Sequence, residues 1–378
     1  MDPALLDTSF DPRATVRPGA VNAHTHLYSG LVPLGMPSPP RVPKTFVEIL
    51  ELVWWRLDRA LDEASLRASA RLYVAEALLA GTTTLVDHHE SPHFIDGSLD
   101  VLAEEADRLG ARLLVTYGAT ERNDGRNEAR RGLAECARFV RAGRFARVRG
   151  LIGLHASFTV SDDTVRDAGE LARELGVGLH VHVAEDRADI DDAKRRGYEG
   201  PLERLIALGA LPSRSIVAHG VWLDEASVRR ANEAGAWLVQ NPRSNANNRV
   251  GYPIALHASG RVALGTDGFA ADMRAEHDAL LDEARTHHDP ADAPTLDARR
   301  TGGWRLASEF FGVRFDESAA EGSAGDLVVG VPGEPPRTVL VDRRPIVTAG
   351  RLVHADIDEI RATAKDQALR LWARMSEY

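Results

Sequence analysis

The feature that most constrains this chain is the alternation of short apolar runs with longer amphipathic stretches through its middle. The runs at residues 20–23, 83–87, 112–117, 148–154, 177–183, 215–218, 236–240 and 262–265 have the length and β-branched character of strands. Apolar residues recur at helical spacing over 46–61 with 65–79, 99–109, 128–142, 162–175, 199–208, 225–234 and 273–287. Strands joined through helices run parallel, because each crossover returns the chain to the same end of the sheet. Eight such units within 378 residues predict an α/β fold closed into a (β/α)₈ barrel. An open doubly wound sheet is the alternative, but no Gly-x-Gly-x-x-Gly opens a helix after the first strand.

The tail is different in kind. Residues 325–332, 337–341 and 345–353 read as short strands joined by Pro/Gly turns, and 357–374 as a final amphipathic helix. The first 18 residues are too few for a domain and are expected to add an edge strand to this module. The expected division is 1–18 with 322–353 as a small β module, 19–321 as the barrel and 354–378 as a C-terminal helix.

Net charge is −10, so no basic excess exists to neutralise phosphates, and nucleic acid is not the expected partner. Cys136 is the single cysteine, which excludes a disulfide framework and a cysteine-rich zinc site. No apolar run is long enough to span a membrane. The N-terminal residues lack the basic start and apolar core of a signal peptide. The cytoplasm is the expected location and a small molecule the expected partner.

Active residues of such barrels stand at the C-terminal ends of the strands. The first strand offers His24 and His26, which as i and i+2 neighbours point the same way. The second ends in Asp87-His88-His89, the fourth in His155, and the fifth in His180, His182 and Glu185. The sixth ends in His219, the seventh in Gln240-Asn241-Pro242-Arg243-Ser244-Asn245 and the eighth in Gly265-Thr266-Asp267. Eight of the 14 histidines fall at strand ends, more than solvated surface histidines would place there. His24, His26, His182 and Asp267 make a ligand set with an open position for one divalent metal, zinc first and iron(II) second. The lysines are Lys44, Lys194 and Lys365, and none stands at a strand end. A two-metal site bridged by a carboxylated lysine is therefore not expected.

The motifs Asn22-Ala-His-Thr-His26, His182-Val-Ala-Glu185, Ala218-His219 and Gly265-Thr-Asp267 resemble the mononuclear aminohydrolase branch of the amidohydrolase superfamily. The stretches at 46–58, 87–92, 97–100, 153–159 and 265–273 are closest to the SsnA-type aminohydrolases, with guanine and 8-oxoguanine deaminases as neighbours. The resemblance spans residues 18 to 350. It implies a distorted barrel with a small β-sandwich, one divalent metal, hydrolytic deamination of a purine- or pyrimidine-like heterocycle, and a homodimer. Two departures stand out. Few residues precede the His24 strand, which implies a reduced sandwich, and Trp222 stands where the pattern has a second histidine.

Within this reading Asp267 orients the attacking water and takes its proton, Glu185 protonates the ring and the leaving amine, and His219 holds the attacking oxygen. Each also has a bland alternative: Asp267 as a turn cap, Glu185 as a solvated helix start, His219 as a satisfied core histidine. Of the adjacent pair, His89 is expected to face inward and His88 outward. His155, Tyr28, Arg243 and Asn245 are candidate substrate contacts, and His180, Trp54 and Trp55 are read as core. Two rivals keep the same residues: dechlorination of a triazine-like ring or opening of a cyclic amide, and a metal-binding protein without turnover.

Overall fold

The computed structural model describes residues 3–317 and 322–378. Among them the strands are β1 (Thr15–Pro18), β2 (Ala20–Thr25), β3 (Thr82–His89), β4 (Arg112–Tyr117), β5 (Val148–Gly150), β6 (Ile152–Ala156) and β7 (Leu179–Val183). They continue as β8 (Ile216–His219), β9 (Trp237–Gln240), β10 (Val262–Leu264), β11 (Leu327–Gly330), β12 (Thr338–Val341), β13 (Arg344–Thr348) and β14 (Arg351–Leu352). Two parallel sheets, β2-β3-β4-β5 and β10-β9-β8-β7-β6, form a distorted barrel wall.

Alternation along these strands sorts two cores. Leu85, Leu113, Val115, Leu179, Val181, Val217 and Leu238 pack outward under the helices. Ala23, Val86, Leu114, Leu151, Ile216, Val239 and Ala263 fill the interior, joined by Leu306 from helix Ala293–Phe311. Burial on both faces is why the strands read as near-continuous apolar runs. Helices start on caps supplied by Asp62, Ser161, Asp186 and Asp224, whose side chains accept backbone amides of the first turn.

The two sheets meet at seams. The single strand expected at 148–154 breaks at Leu151: β5 pairs with β4, and β6 with β7. Leu151 N donates to Val115 O at 3.0 Å there. At the other seam the amides of Thr266 and Asp267 donate to His24 O at 2.9 and 3.0 Å, and His26 N donates to Asp267 O at 3.3 Å. Within β2, Asn22 pairs with Leu85 but Thr25 with Asp87, so three steps on β2 match two on β3. This bulge turns both Ala23 and His24 inward, while Asn22 and Thr25 reach Tyr73 on the outer helix.

The chain ends build one antiparallel sheet in the order β1-β11-β12-β13-β14, with β1 as the expected edge strand. Among the described residues the reduced sandwich is thus a single layer. Arg112 on β4 ties it to the barrel by a bidentate pair with Asp326, at 2.8 and 3.0 Å. Helix Ile357–Met375 packs on helix Glu63–Leu79. Among the described residues no helix is long and apolar enough to cross a membrane.

Three helices lie outside the expected set: Arg187–Arg195, Pro242–Asn248 and Ala293–Phe311. Arg187–Arg195 is mostly polar, and Ala293–Phe311 makes its closest approach to the barrel at Gly302 and Gly303, where an apolar residue would have signalled it. A Cβ on Gly302 would lie 1.9 Å from Val262 O. Gly302→Ala therefore forces backbone to move and is expected to cost about 3 kcal/mol, the upper range for overpacking, read as a lower denaturation midpoint. A change within experimental error would show that the helix is not seated on β10 as described.

Candidate metal centre and active site

The strand ends bring His24, His26, His182, His219 and Asp267 together. Ligand atoms of His24, His182, His219 and Asp267 lie within 4.8 Å of one another. His26 Nε2 is 2.9 Å from Asp267 Oδ1 and 3.4 Å from His182 Nε2, and His24 Nε2 is 3.6 Å from Asp267 Oδ1. All four imidazoles are buried.

Hydrogen bonds at the far side of each ring decide which nitrogen faces the centre. His26 Nδ1–H donates to His88 O and His182 Nδ1–H to His155 O, both at 2.5 Å. His24 Nδ1 meets His180 Nε2 at 3.0 Å, and His219 Nδ1–H donates to Asn245 Oδ1 at 2.9 Å. In the neutral rings the Nε2 atoms then carry lone pairs. Lone pairs on His26 and His182 point at each other beside a carboxylate, and His24 Nε2 and His219 Nε2 have no hydrogen-bond partner. Such convergence requires a positive charge. One solution is a proton: burial opposes it, yet Asp267 and Glu90 push His26 up to about 9. The other is a shared divalent cation, for which three imidazoles and one carboxylate are a fitting donor set.

Burial would raise Asp267, but the neighbouring imidazoles of His24 and His26, 3.6 and 2.9 Å from its Oδ1, hold it well below the usual carboxylate range. Glu185, just past β7, goes the other way: burial first, then the Asp267 charge, raises it well above that range. Its Oε2 is 3.5 Å from His219 Nε2. Opposite protonation tendencies in two neighbouring carboxyls suit a base and an acid.

A short helix, Pro242–Asn248, orients this set from one face. Ser244 Oγ donates to Asp267 Oδ2, Asn245 holds His219, and Asn248 hydrogen-bonds Glu185. Ser244 and Asn248 were not singled out in the sequence; their signal was the polar run around Asn245, at one residue before and three after. Ala184, His219 and Asp267 all have positive φ (52°, 72° and 54°), a conformation non-glycine residues adopt only when their surroundings enforce it.

Several expectations are corrected. His88, not His89, faces the centre: alternation from inward Val86 gives inward His88, whose ring lies 4.4 Å from that of His182. His89 turns outward to Ser91 Oγ at 2.7 Å. Arg243 does not line the cavity; Glu276 holds its Nε at 2.5 Å and its backbone N at 2.8 Å. Asn245 acts behind His219 rather than in the cavity. Tyr28 and His155 do line it, and so do Trp54 and Trp55, which are half-buried cavity walls rather than core. Segment 46–60 there is interrupted by a π turn, Leu50–Trp54. Trp222 lies outside the cavity, 42% exposed beneath Arg187. His180 sits behind His24 as expected.

Residues 15–298 match the family model described as the amidohydrolase family. The chain is 28% identical over 395 residues to a 5'-deoxyadenosine deaminase of Methanopyrus kandleri, covering 94% of this chain and 86% of that protein. It is 31% identical over 283 residues to an 8-oxoguanine deaminase of Pseudomonas aeruginosa, covering 70% of this chain and 62%, less than two thirds, of that one. In three dimensions it superposes on an adenosine deaminase from Xanthomonas campestris with bound zinc, with a TM-score of 0.82 at 23% identity, over 95% of this chain and 86% of that one.

Divalent metal is expected to stabilise the fold, by about 2.7 kcal/mol at a hundredfold excess over Kd. The readout is a rise in unfolding midpoint with added Zn²⁺ that His26→Ala and Asp267→Asn abolish. A midpoint indifferent to metal, in protein that carries none through purification, would remove the cluster as a metal centre.

Proposed function

The chain belongs to the amidohydrolase family, and on that premise we propose that it is a metal-dependent aminohydrolase releasing ammonia from a purine- or pyrimidine-like heterocycle. The observation that carries the reading is Glu185. It is a half-buried carboxyl on the cavity wall whose surroundings favour its protonated form, 3.5 Å from His219 and hydrogen-bonded to Asn248. Metal binding alone needs neither Glu185 nor His219, which argues against a scaffold. The deaminases named above act on related nitrogen heterocycles.

His24, His26, His182 and Asp267 are the residues that would hold the ion. Three imidazoles and a carboxylate favour zinc, the metal bound in the Xanthomonas campestris structure. A divalent ion held there would supply water acidic enough to react near neutral pH, with a pKa of about 7 in the best cases. Asp267 is the base: ionised, steadied by Ser244 and adjacent to the ligand cluster, it accepts the proton of the attacking water. His219 presents a bare Nε2, so it accepts a hydrogen bond from that water and then from the hydroxyl it becomes, holding the attacking oxygen in line. Glu185 gives its proton to the ring nitrogen. The proton that Asp267 took from the water passes to the departing amine, which leaves as ammonia, and the hydroxyl proton left on the ring carbon returns to Glu185 as the carbonyl forms. The same reading keeps 19–321 as the catalytic unit and the sheet of the chain ends as its support.

Glu185→Gln is expected to keep its metal but lose roughly 10³-fold in kcat, within the range for general acid–base groups. Metal analysis and ammonia-coupled assay across purines, pterins and pyrimidines read this directly. Full activity in the variant would take Glu185 out of the mechanism. Chloride release or ring opening without ammonia would favour the rival hydrolyses.

A further inference from the structure

The cavity holds two carboxylates that the proposed chemistry does not use. Asp58, on helix Trp55–Ala60, and Glu90, one residue past β3, are each 2% exposed, and both line it. Each is anchored through one oxygen. Arg122 Nη2 donates to Asp58 Oδ2 at 2.7 Å, and His88 Nδ1 lies 2.7 Å from Glu90 Oε1. The Arg122 guanidinium balances the Asp58 charge from behind, and neither Arg122 nor His88 lines the cavity. Arg122 is turned away, its Nε on Thr120 Oγ1 at 3.1 Å and its guanidinium stacked 4.8 Å from the Trp55 ring. Asp58 Oδ1 is buried without a hydrogen-bond partner.

The wall as a whole has one sign. Asp58, Glu90, Asp186, Asp189 and Asp267 line the cavity beside Glu185, whose surroundings favour its neutral form, and among the described residues no lysine or arginine does. A phosphate or carboxylate entering it meets carboxylates and no fixed cation outside the metal centre. An acceptor left bare in a buried site is satisfied only by a donor on the ligand. An ionised carboxylate only accepts hydrogen bonds.

We propose that Asp58 and Glu90 form an acceptor edge that reads N–H donors on the ring. The substrate is then a neutral or cationic heterocycle with at least one N–H besides the leaving amine, and without phosphate or carboxylate. The inference rests on the aminohydrolase reading and narrows its substrate class. It also assigns Asp58 and Glu90 a role in specificity rather than in bond breaking.

The test pairs rings that differ only in the donor or the charge, on the metal-loaded protein. Cytosine is set against 1-methylcytosine and 5-carboxycytosine, 2,6-diaminopurine against adenine, and adenine against adenosine. Ammonia release and calorimetric binding are measured for each. The donor-bearing free base is expected to win every pair by at least tenfold, in kcat/KM and in Kd. Asp58→Asn is expected to raise KM for 2,6-diaminopurine tenfold while kcat and metal content hold, and to shrink its advantage over adenine. Equal binding of cytosine and 1-methylcytosine overturns the inference, as does a preference for 5-carboxycytosine or for adenosine, whose hydroxyls would then be the donors read. These comparisons stand if Asp58→Asn fails to fold. Absence of ammonia release with every ring removes the aminohydrolase reading instead, and the binding arm then decides the acceptor edge on its own.

Discussion

One backbone junction underlies the mouth of this barrel. The amides of Thr266 and Asp267 both donate to the carbonyl of His24, and the amide of His26 donates back to Asp267. First and last barrel strands are thereby tied main chain to main chain, and the Asp267 carboxylate is delivered beside two imidazoles by the covalent path of the wall itself. Gly265 makes the approach possible, since a Cβ there would stand 2.7 Å from His24 O and 2.5 Å from Asn241 Oδ1. Tyr73 braces the junction from outside, its hydroxyl meeting Thr25 Oγ1 at 2.6 Å, Thr266 Oγ1 at 3.0 Å and Phe269 O at 2.6 Å.

Around that junction polar groups are layered by what they hold. Backbone carbonyls of His88 and His155 fix two rings, His180 backs a third, and Asn245 fixes His219. Helix Pro242–Asn248 then supports Asp267, His219 and Glu185 at once. The strained φ values of Ala184, His219 and Asp267 cost roughly 1–3 kcal/mol each, and the packed wall around them maintains the geometry. The result is a set of groups aligned before any ligand enters, which is what preorganised electrostatics requires.

Much of this was legible in the chain. Strand positions followed from β-branched runs of the right length, and the convergence of His24, His26, His182 and Asp267 from their common placement at strand ends. What escaped did so for identifiable reasons. Period-two alternation distinguishes His88 from His89 only once the face of a neighbour such as Val86 is known. Arg243 carried no sign that Glu276, 33 residues later, would hold it. Trp54 and Trp55 share a helical pattern that cannot tell a core from a cavity wall. Ser244 and Asn248 act through hydrogen bonds to residues far along the chain, and Gly302 hides a helix contact because its contribution is the side chain it lacks.

The junction at His24 also orders events in time. Its two halves are 243 residues apart, at Asp267 and His24, so a ribosome must deliver nearly the whole barrel before the fourth ligand exists. A cation held by this set would be captured only as the wall closes, a latch on a finished fold rather than a nucleus for an emerging one.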